Sequence, residues 1–384
     1  LIDGRMLVNN YPPSATAGAL GLTMTGALAD VNPHTVFPDL VGDLAPLDGD
    51  PIALGVQLQY DSLDNVRVSA TPEPGRADTL YDRTGNDRMI SGGGDDHLYA
   101  TRGGDDVLDA GAGRDYADGG DGHDVIYGGA DSDILVGGAG NDRLYADTAI
   151  SAADAIALGN KQPGSGLKGD WLAGGSGDDI LVGSSGNDVL TGGGGADLLI
   201  GGAGDDDLLG DPDWVATSFE WTVTDLGGAT HHYRPIDVFP AIAAADVIYA
   251  GEGNDYAIGG GGNDVLFGEG GNDTLAGQDG NDLLIGGTGA DTLYGGEGQD
   301  IYIFNRGDGH DTVYDSEAEH NIFRFGAGIS SSDITLRLGS LMLDLGSGDA
   351  VHIQDFNQND VFNSSSIDRF EFEDGTVLTI TELL

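Results

Sequence analysis

An aspartate recurs every nine residues in three stretches of this chain. In the stretch GGGGNDVLFGEGGNDTLAGQDGNDLLIGG, residues 259–287, the aspartates Asp264, Asp273 and Asp282 keep that spacing. A glycine usually stands two residues before each aspartate, and a mostly apolar residue stands two residues after it. Because repetition at a fixed period specifies a repetitive architecture, this spacing constrains the fold more than any other feature of the sequence.

Twenty aspartates share this register, in three groups. One step of ten residues, from Asp96 to Asp106, interrupts the first group, and Ala100 fits there as a single inserted residue. The aspartates are Asp78, Asp87, Asp96, Asp106, Asp115, Asp124, Asp133 and Asp142, then Asp170, Asp179, Asp188, Asp197 and Asp206, then Asp246, Asp255, Asp264, Asp273, Asp282, Asp291 and Asp300.

Each repeat divides into a tight turn and a minimal strand. In the strand 265–267, alternation sends Leu266 inward and its two neighbours outward. The six preceding residues form the turn, where glycine adopts a positive φ without steric cost. Two repeats make one coil, so every second repeat stacks on the same side, about 4.8 Å apart. The aspartates should therefore form a column along each edge.

Carboxylates in such a column repel one another and need a divalent cation between successive coils. The ligands on offer are aspartate oxygens and turn carbonyls, and the chain has no Cys. Hard oxygen ligands favour calcium over zinc or copper, so we expect the chain to bind multiple calcium ions. Glycine-rich backbone loses more entropy than average on folding, so we expect ion binding and folding to be coupled.

The nonapeptide Gly-Gly-x-Gly-x-Asp-x-apolar-x over residues 73–303 resembles the repeat of the RTX (repeats-in-toxin) family. The resemblance implies an all-β fold, a parallel β-roll that is a right-handed β-helix of nonapeptide repeats. It also implies a ligand pattern, in which the aspartate and the carbonyls of positions two and four of one turn join the aspartate and the carbonyls of positions one and three of the stacked turn.

On that pattern, Gly260, Gly262 and Asp264 would join Gly277, the carbonyl of Asp279, and Asp282. The candidate ligands besides the twenty aspartates are Gly92, Gly94, Gly120, Gly122, Gly138, Gly140, Gly175, Gly177, Gly193, Gly195, Gly259, Gly260, Gly261, Gly262, Gly277, Asp279, Gly280, Gly287 and Gly289.

Breaks in the repeat predict the organisation of the chain. SAADAIALGN, residues 151–160, predicts a short helix, and alternation predicts strands at 54–60, at 66–69 and throughout the tail. The predicted segments are a partial β-rich lead-in domain at 1–72, a first RTX block at 73–147, an insertion at 148–167, a second block at 168–211, an aromatic hairpin insertion at 212–244, a third block at 245–303, and a C-terminal cap and secretion-signal region at 304–384.

The insertion at 212–244 is the one part that the repeat does not explain. TSFEWTVT, DLGG and ATHHYR are typical of strand, turn and strand, and the segment holds Trp214, Phe219, Trp221, Tyr233 and Phe239. Three readings stay open. The rings cover one face of the roll, or they form an exposed platform for a glycan or protein partner, or a free edge strand mediates self-association.

Composition excludes several classes of protein. The formal net charge is −50, from 65 acidic and 15 basic residues, which excludes a protein that grips nucleic-acid phosphates and argues against docking on an anionic membrane. No apolar run approaches the 18 or more residues of a transmembrane segment. Solubility or halophily is the alternative explanation of the acidic excess.

Catalytic motifs are absent from the sequence. It contains no His-Glu-x-x-His and no Gly-x-Ser-x-Gly, so we expect no enzymatic activity from this segment. It begins with Leu1 rather than Met, so we expect it to be part of a longer protein.

The resemblance also implies a function. Extracellular calcium modules bind with affinities of about 10⁻⁴–10⁻³ M, so the chain should stay extended inside the cell and fold outside it. For the family this implies a secreted protein, often a toxin, that leaves through type I secretion machinery. The alternative is an adhesin or surface-layer module at the cell surface, in which calcium stiffens the roll and the hairpin contacts a partner.

Overall fold

The computed structural model describes residues 56–60, 66–70, 77, 79–82, 84–159, 164, 167–211, 221–224, 230–233, 243–315, 320–337, 341–354 and 366–383. Nearly all of these residues lie in β-strands or in the turns between them. The chain forms two compact units: Leu1–Ala149 with Thr224–Ala229, and Ile150–Val223 with Thr230–Leu384. Each unit is a β-solenoid, so the prediction of an all-β parallel roll is confirmed.

Two sheets wind through the first unit. Its strands are β1 Val56–Tyr60, β2 Val66–Ala70, β3 Thr79–Tyr81, β4 Arg88–Gly93, β5 His97–Tyr99, β6 Val107–Ala112, β7 Tyr116–Asp121, β8 Val125–Ala130, β9 Ile134–Ala139 and β10 Arg143–Tyr145. One sheet has the order β1-β2-β4-β6-β8-β10 and the other has the order β3-β5-β7-β9. From β2 onward, consecutive strands of the chain therefore alternate between the two sheets, as two repeats per coil require.

The second unit repeats this arrangement. Its elements before the hairpin are α1 Ala152–Gly159, β11 Lys168–Ser176, β12 Ile180–Val182, β13 Asn187–Gly194, β14 Leu198–Ala203 and β15 Asp207–Leu209. A separate two-stranded sheet follows, formed by β16 Trp221–Thr224 and β17 Thr230–Tyr233.

After the hairpin come β18 Val247–Glu252, β19 Tyr256–Gly261, β20 Val265–Gly271, β21 Thr274–Asp279, β22 Leu283–Gly289, β23 Thr292–Glu297, β24 Ile301–Phe304, β25 His310–Tyr314, β26 Asn321–Phe325, a 3-10 helix Ser331–Asp333, β27 Thr335–Arg337, β28 Leu341–Gly346, β29 Asp349–Ile353, β30 Ile367–Glu371, β31 Val377–Thr379 and α2 Ile380–Leu383. One sheet has the order β12-β14-β18-β20-β22-β24-β26-β30-β31, and the other has the order β11-β13-β15-β19-β21-β23-β25-β29-β28-β27.

Within the repeats, each strand pairs in parallel with the strand two repeats away. Leu266 of β20 lies opposite Leu284 of β22, and Leu275 of β21 lies opposite Leu293 of β23. The predicted stacking of every second repeat is therefore confirmed. Alternation then places one side chain of each strand inside the coil and its two neighbours outside.

The core is a stack of the apolar residues that stand two positions after each aspartate. All of them are buried, none more than 4% exposed, as predicted from the alternation. They are Leu80, Met89, Leu98, Leu108, Ala117, Ile126, Leu135, Leu144, Leu172, Leu181, Leu190, Leu199, Leu208, Ile248, Ala257, Leu266, Leu275, Leu284, Leu293 and Tyr302.

The long insertion before the third block does not shift the register. Leu199 of β14 lies opposite Ile248 of β18, and Leu208 of β15 lies opposite Ala257 of β19. The predicted hairpin strands and the predicted short helix are present as β16, β17 and α1, and α1 contacts β14 and β18. Trp214, Phe219 and Phe239, on which the aromatic reading of the insertion depends, lie outside the described residues.

Both predicted β-rich flanks contain strands at the predicted places. β1 pairs with β2 antiparallel, and β2 pairs in parallel with β4 of the first block. In the tail, β28 is antiparallel to both β27 and β29. Buried rings fill this end of the second unit, with Tyr302 stacked on Phe323 at 6.3 Å and Phe325 stacked on Phe372 at 4.9 Å. Among the described residues, no helix combines the length and apolar character needed to span a membrane.

The turns require glycine for two separate reasons. Gly271 has a φ of +141°, and a methyl group on it would overlap the carbonyl oxygen of Gly253 on the neighbouring coil. Gly328 has a φ of +77°, but nothing lies within 4 Å of the place where its methyl group would be. The repeat turns therefore use glycine for close approach between coils as well as for conformation.

Gly271→Ala should destabilise the protein far more than Gly328→Ala. Both substitutions put a side chain in a positive-φ conformation, which costs about 1–2 kcal/mol. Only Gly271→Ala also forces two coils apart, and we expect its total cost to exceed about 3 kcal/mol. Urea unfolding in excess calcium measures both values, and equal losses would contradict the close packing of the turns.

Candidate metal centre

The repeat aspartates lie in columns, one residue per coil. In the second unit one column contains Asp170, Asp188, Asp206, Asp255, Asp273, Asp291 and Asp311, and the other contains Asp179, Asp197, Asp246, Asp264, Asp282 and Asp300. In the first unit the columns contain Asp87, Asp106, Asp124 and Asp142, and Asp96, Asp115 and Asp133. Asp78 lies outside the described residues.

A main-chain hydrogen bond fixes each aspartate to its neighbour in the column. The backbone N–H of Asp264 donates to Oδ1 of Asp282 at 2.8 Å, and the N–H of Asp273 donates to Oδ1 of Asp291 at 2.9 Å. The same contact joins Asp197 to Asp246 at 2.8 Å, although 49 residues separate them in sequence. Each carboxylate is thereby held in one orientation, with one oxygen committed to the neighbouring coil.

The second oxygen of these carboxylates is buried in the same columns. For eleven of the aspartates, Oδ2 is shielded from solvent and accepts no hydrogen bond. Buried carboxylate oxygens without a partner are costly, and they are expected where an ion completes the site. They belong to Asp106, Asp115, Asp124, Asp197, Asp206, Asp246, Asp255, Asp264, Asp273, Asp282 and Asp291.

Position one of the repeat is a glycine that lies directly against this oxygen. A methyl group on Gly277 would overlap Asp282 Oδ2 and lie 2.7 Å from the carbonyl oxygen of Gly295 on the next coil. A methyl group on Gly119 would lie 2.5 Å from Asp124 Oδ2 and 2.8 Å from the carbonyl oxygen of Gly137. Oxygen atoms of two coils therefore converge beside position one and leave no room for a side chain there.

The turns that are predicted to supply carbonyl ligands to calcium lie next to each other in the structure. Gly262 N–H donates to the carbonyl of Asp279 at 2.8 Å, and Gly261 lies opposite Asp279 in the register of β19 and β21. Of the predicted carbonyl donors, those at positions two and four have positive φ, whereas Gly259, Gly261 and Gly277 do not. Whether these particular carbonyls bind the ion stays a prediction.

Burial raises the pKa of the column carboxyls well above their usual value. The pKa of Asp273 rises to about 9, chiefly through burial, although the hydrogen bond from the Asp255 N–H opposes the rise. The neighbouring carboxylates of Asp255 and Asp291 raise it further. Burial is also the chief cause that raises the pKa to about 9 for Asp206, to about 8 for Asp106, Asp115, Asp197 and Asp246, to about 7 for Asp124, Asp255 and Asp282, and to about 6 for Asp142, Asp264 and Asp291.

These features fit a hard divalent cation. Buried, negatively charged oxygens need a compensating positive charge, and carboxylate and carbonyl oxygens are the donor set of calcium. Within the described residues, no three His, Cys, Asp or Glu side chains form a cluster of the kind that binds a metal. Two aspartates per site would therefore have to share the ion with main-chain carbonyls, as the resemblance to the RTX repeat implies.

The columns extend to Asp311, which the sequence analysis did not identify. Asp311 accepts the N–H of Asp291 at 3.2 Å and is buried, and burial raises its pKa to about 8. It stands eleven residues after Asp300, so a strict nine-residue count ends before it. Gly309 two residues before it and Val313 two residues after it carry the repeat signal and could have revealed it.

Comparison with known families agrees with this geometry. The family model described as the RTX calcium-binding nonapeptide repeat, which comprises four copies of the repeat, matches six segments of the chain. They are residues 75–107, 101–135, 127–148, 169–211, 242–275 and 276–313. The haemolysin-type calcium binding protein related domain matches residues 344–382, and the matches together span more than half of the chain. The chain belongs to the RTX family. It therefore contains a calcium-binding repeat module, and the resemblance seen in the sequence is confirmed.

Among solved structures, extracellular lipase LipA from Serratia marcescens is similar to this RTX chain. The two are 19% identical, and the match covers 77% of this chain with a TM-score of 0.26. The chain spans 40% of the length of that lipase. No curated protein sequence matches the chain.

Asp273→Asn should remove calcium sites from the second unit. Asparagine keeps an oxygen that can accept the N–H of Asp255 but removes the charge. We expect one or two fewer bound ions, and about 2.7 kcal/mol less stability for each lost site when free calcium is 100 times the Kd. Isothermal titration calorimetry and calcium-loaded urea unfolding measure the two effects.

Asp205→Asn is the matched control, because Asp205 is an exposed residue outside the columns. Other turns of the same solenoid carry asparagine at the equivalent position, such as Asn254 and Asn272. The control should bind as many ions as the wild type. A change in the control equal to that in Asp273→Asn would show that the columns are not the binding residues.

Without calcium, the folded solenoid should gain stability on acidification. The column carboxyls have raised pKa values of about 6–9 when folded and about 3.9 when unfolded, so their contribution is largest below pH 4 and is lost as the pH rises to 9. Circular dichroism in chelator should show more β-structure at pH 5 than at pH 9. In calcium we expect the opposite dependence, with stability falling on acidification, because protons compete with calcium for the carboxylates. A calcium concentration at half-folding that does not change with pH would contradict this expectation.

Proposed function

We propose that this RTX chain is a calcium-responsive structural module that folds when it meets calcium outside the cell. The observation that carries the proposal is the columns of buried carboxylates, most with one oxygen fixed by a backbone N–H and several with the other oxygen left without a hydrogen-bond partner. Such an arrangement is unfavourable unless positive charge is supplied.

The chain's own residues would divide the work between two oxygens. Oδ1 of each aspartate aligns neighbouring coils through the N–H that it accepts, and Oδ2 together with turn carbonyls holds the ion. Bound calcium supplies positive charge and accepts several oxygen ligands with flexible geometry. Because these ligands come from two coils, the binding site exists only when the coils are stacked, so binding free energy is folding free energy.

A difference in calcium concentration would then control where the protein folds. Modules outside the cell bind calcium with affinities of about 10⁻⁴–10⁻³ M, far above cytosolic levels. A net charge of −50 keeps the metal-free chain soluble and extended. These properties suit a secreted protein that leaves through type I secretion machinery and is stabilised by calcium after export.

The remaining roles are also proposals. We assign the described residues a structural rather than a catalytic role, because their buried carboxylates form continuous columns instead of an isolated cleft.

An adhesin in which the insertion 212–244 contacts a glycan or protein is the alternative. Binding of a glycan array by the calcium-loaded chain, lost on Trp221→Ala, would favour that alternative.

Calcium titration should fold the chain. In chelator we expect an expanded chain with little β-structure, and in millimolar calcium we expect the compact solenoid, with a midpoint between about 10⁻⁴ and 10⁻³ M. Circular dichroism and small-angle X-ray scattering measure the change. Magnesium is the matched control and should act weakly, since it requires near-octahedral geometry and dehydrates reluctantly. A compact, β-rich chain in chelator would refute the proposal.

A further inference from the structure

The two columns of the second unit end on different residues. The first column ends on Asp311, which accepts the N–H of Asp291. The second column continues past Asp300 to Asn321, whose Oδ1 accepts the N–H of Asp300 at 2.8 Å. An amide therefore stands where the preceding coils have a carboxylate, and it makes the same main-chain contact.

This hydrogen bond fixes the orientation of the amide. An N–H donor needs an acceptor, so Oδ1 of Asn321 must face Asp300, and a flipped amide would set two donors against each other. Nδ2 then takes the place that Oδ2 has in Asp282 and the other column aspartates. Asn321 is fully buried, and Nδ2 has no hydrogen-bond partner among the described residues.

A donor in that place is unsuited to a cation. An NH₂ group carries partial positive charge and has no lone pair to offer a metal. It does suit the negative potential at the end of a row of aspartates. The coil of Asn321 therefore lacks one ligand and presents a group that repels an ion.

The residue at position one of the same coil also differs from the glycine that the earlier coils have there. Strand register places Tyr294 of β23 opposite Tyr314 of β25, so Asp315, directly after β25, takes the position that Gly295 has within β23. Tyr302, an inward-facing core residue, donates its hydroxyl to Asp315 Oδ2 at 2.6 Å. A methyl group on Gly295 would overlap both the Tyr302 hydroxyl and Asp300 Oδ2. In earlier coils, such as that of Gly277, a main-chain carbonyl of the next coil borders this space.

We propose that Asn321, with the Tyr302–Asp315 hydrogen bond beside it, terminates the row of calcium ions in the second column. The inference rests on the proposed function, since it requires that ions occupy the columns. The last ion of this column lies between Asp282 and Asp300, and none lies between Asp300 and Asn321. The cap beyond Asn321 packs on buried rings such as Phe323 and Phe370 rather than on another ion-bearing turn.

Asn321→Asp tests the proposal by restoring the missing carboxylate. Oδ1 can still accept the N–H of Asp300, and the second oxygen replaces the NH₂ group. We expect the full chain to bind one more calcium ion than the wild type, as counted by elemental analysis after equilibrium dialysis in calcium. In chelator, the added charge should leave the variant no more stable than the wild type.

Asn281→Asp is the matched control. It changes the net charge equally, but the side chain lies at exposed position five, where other turns of the solenoid carry aspartate, such as Asp205. It should leave the ion count unchanged. An equal count for Asn321→Asp and the wild type, or a gain in both variants, would overturn the proposal. A wild type that folds with no bound calcium would instead refute the proposed function.

A crystal structure of the calcium-loaded wild type provides a second test that does not depend on a variant folding. Anomalous scattering should show an ion between Asp282 and Asp300 and none between Asp300 and Asn321. An ion coordinated beside Asn321 would overturn the proposal.

Discussion

The hydrogen bond from the backbone N–H of one column aspartate to Oδ1 of the next organises both solenoid units. It fixes the distance between coils, selects one orientation for each carboxylate, and buries the charge. That burial raises the pKa of Asp273 to about 9 and leaves Asp282 Oδ2 without a hydrogen-bond partner. A fold in which each coil adds two such carboxylates accumulates electrostatic cost with length, so its stability depends on whatever neutralises the columns.

The rest of the repeat follows from that constraint. Position one is glycine because Oδ2 and a carbonyl of the next coil occupy the space of a side chain, as at Gly277. Position four is glycine because its φ is positive and the neighbouring coil approaches closely, as at Gly271. The inward residue, such as Leu284, is apolar because it stacks between the inward residues of the two neighbouring coils, Leu266 and Tyr302. Each of these choices sets the spacing that the carboxylates need.

Much of this was predictable, because a period of nine residues fixes both which residue faces inward and which coils stack. The inward positions, the pairing of every second repeat, α1 and the strands of both flanks were predicted from pattern alone. Position alone could not reveal that backbone N–H groups hold the aspartates, since that contact depends on how closely coils approach. Asp311 and Asn321 were missed because insertions change the spacing around them, and only strand register aligns them with the columns. The role of the aromatic residues in 212–244 stays a prediction.

Hydrogen exchange at the column amides tests the central claim most directly. The N–H groups of Asp264, Asp273 and Asp282 donate to carboxylates on the next coil, so their protection reports whether the columns are assembled. If cations hold the columns together, these amides are strongly protected in calcium and exchange in chelator at the rate of an unfolded chain. Equal protection in calcium and in chelator would contradict the account.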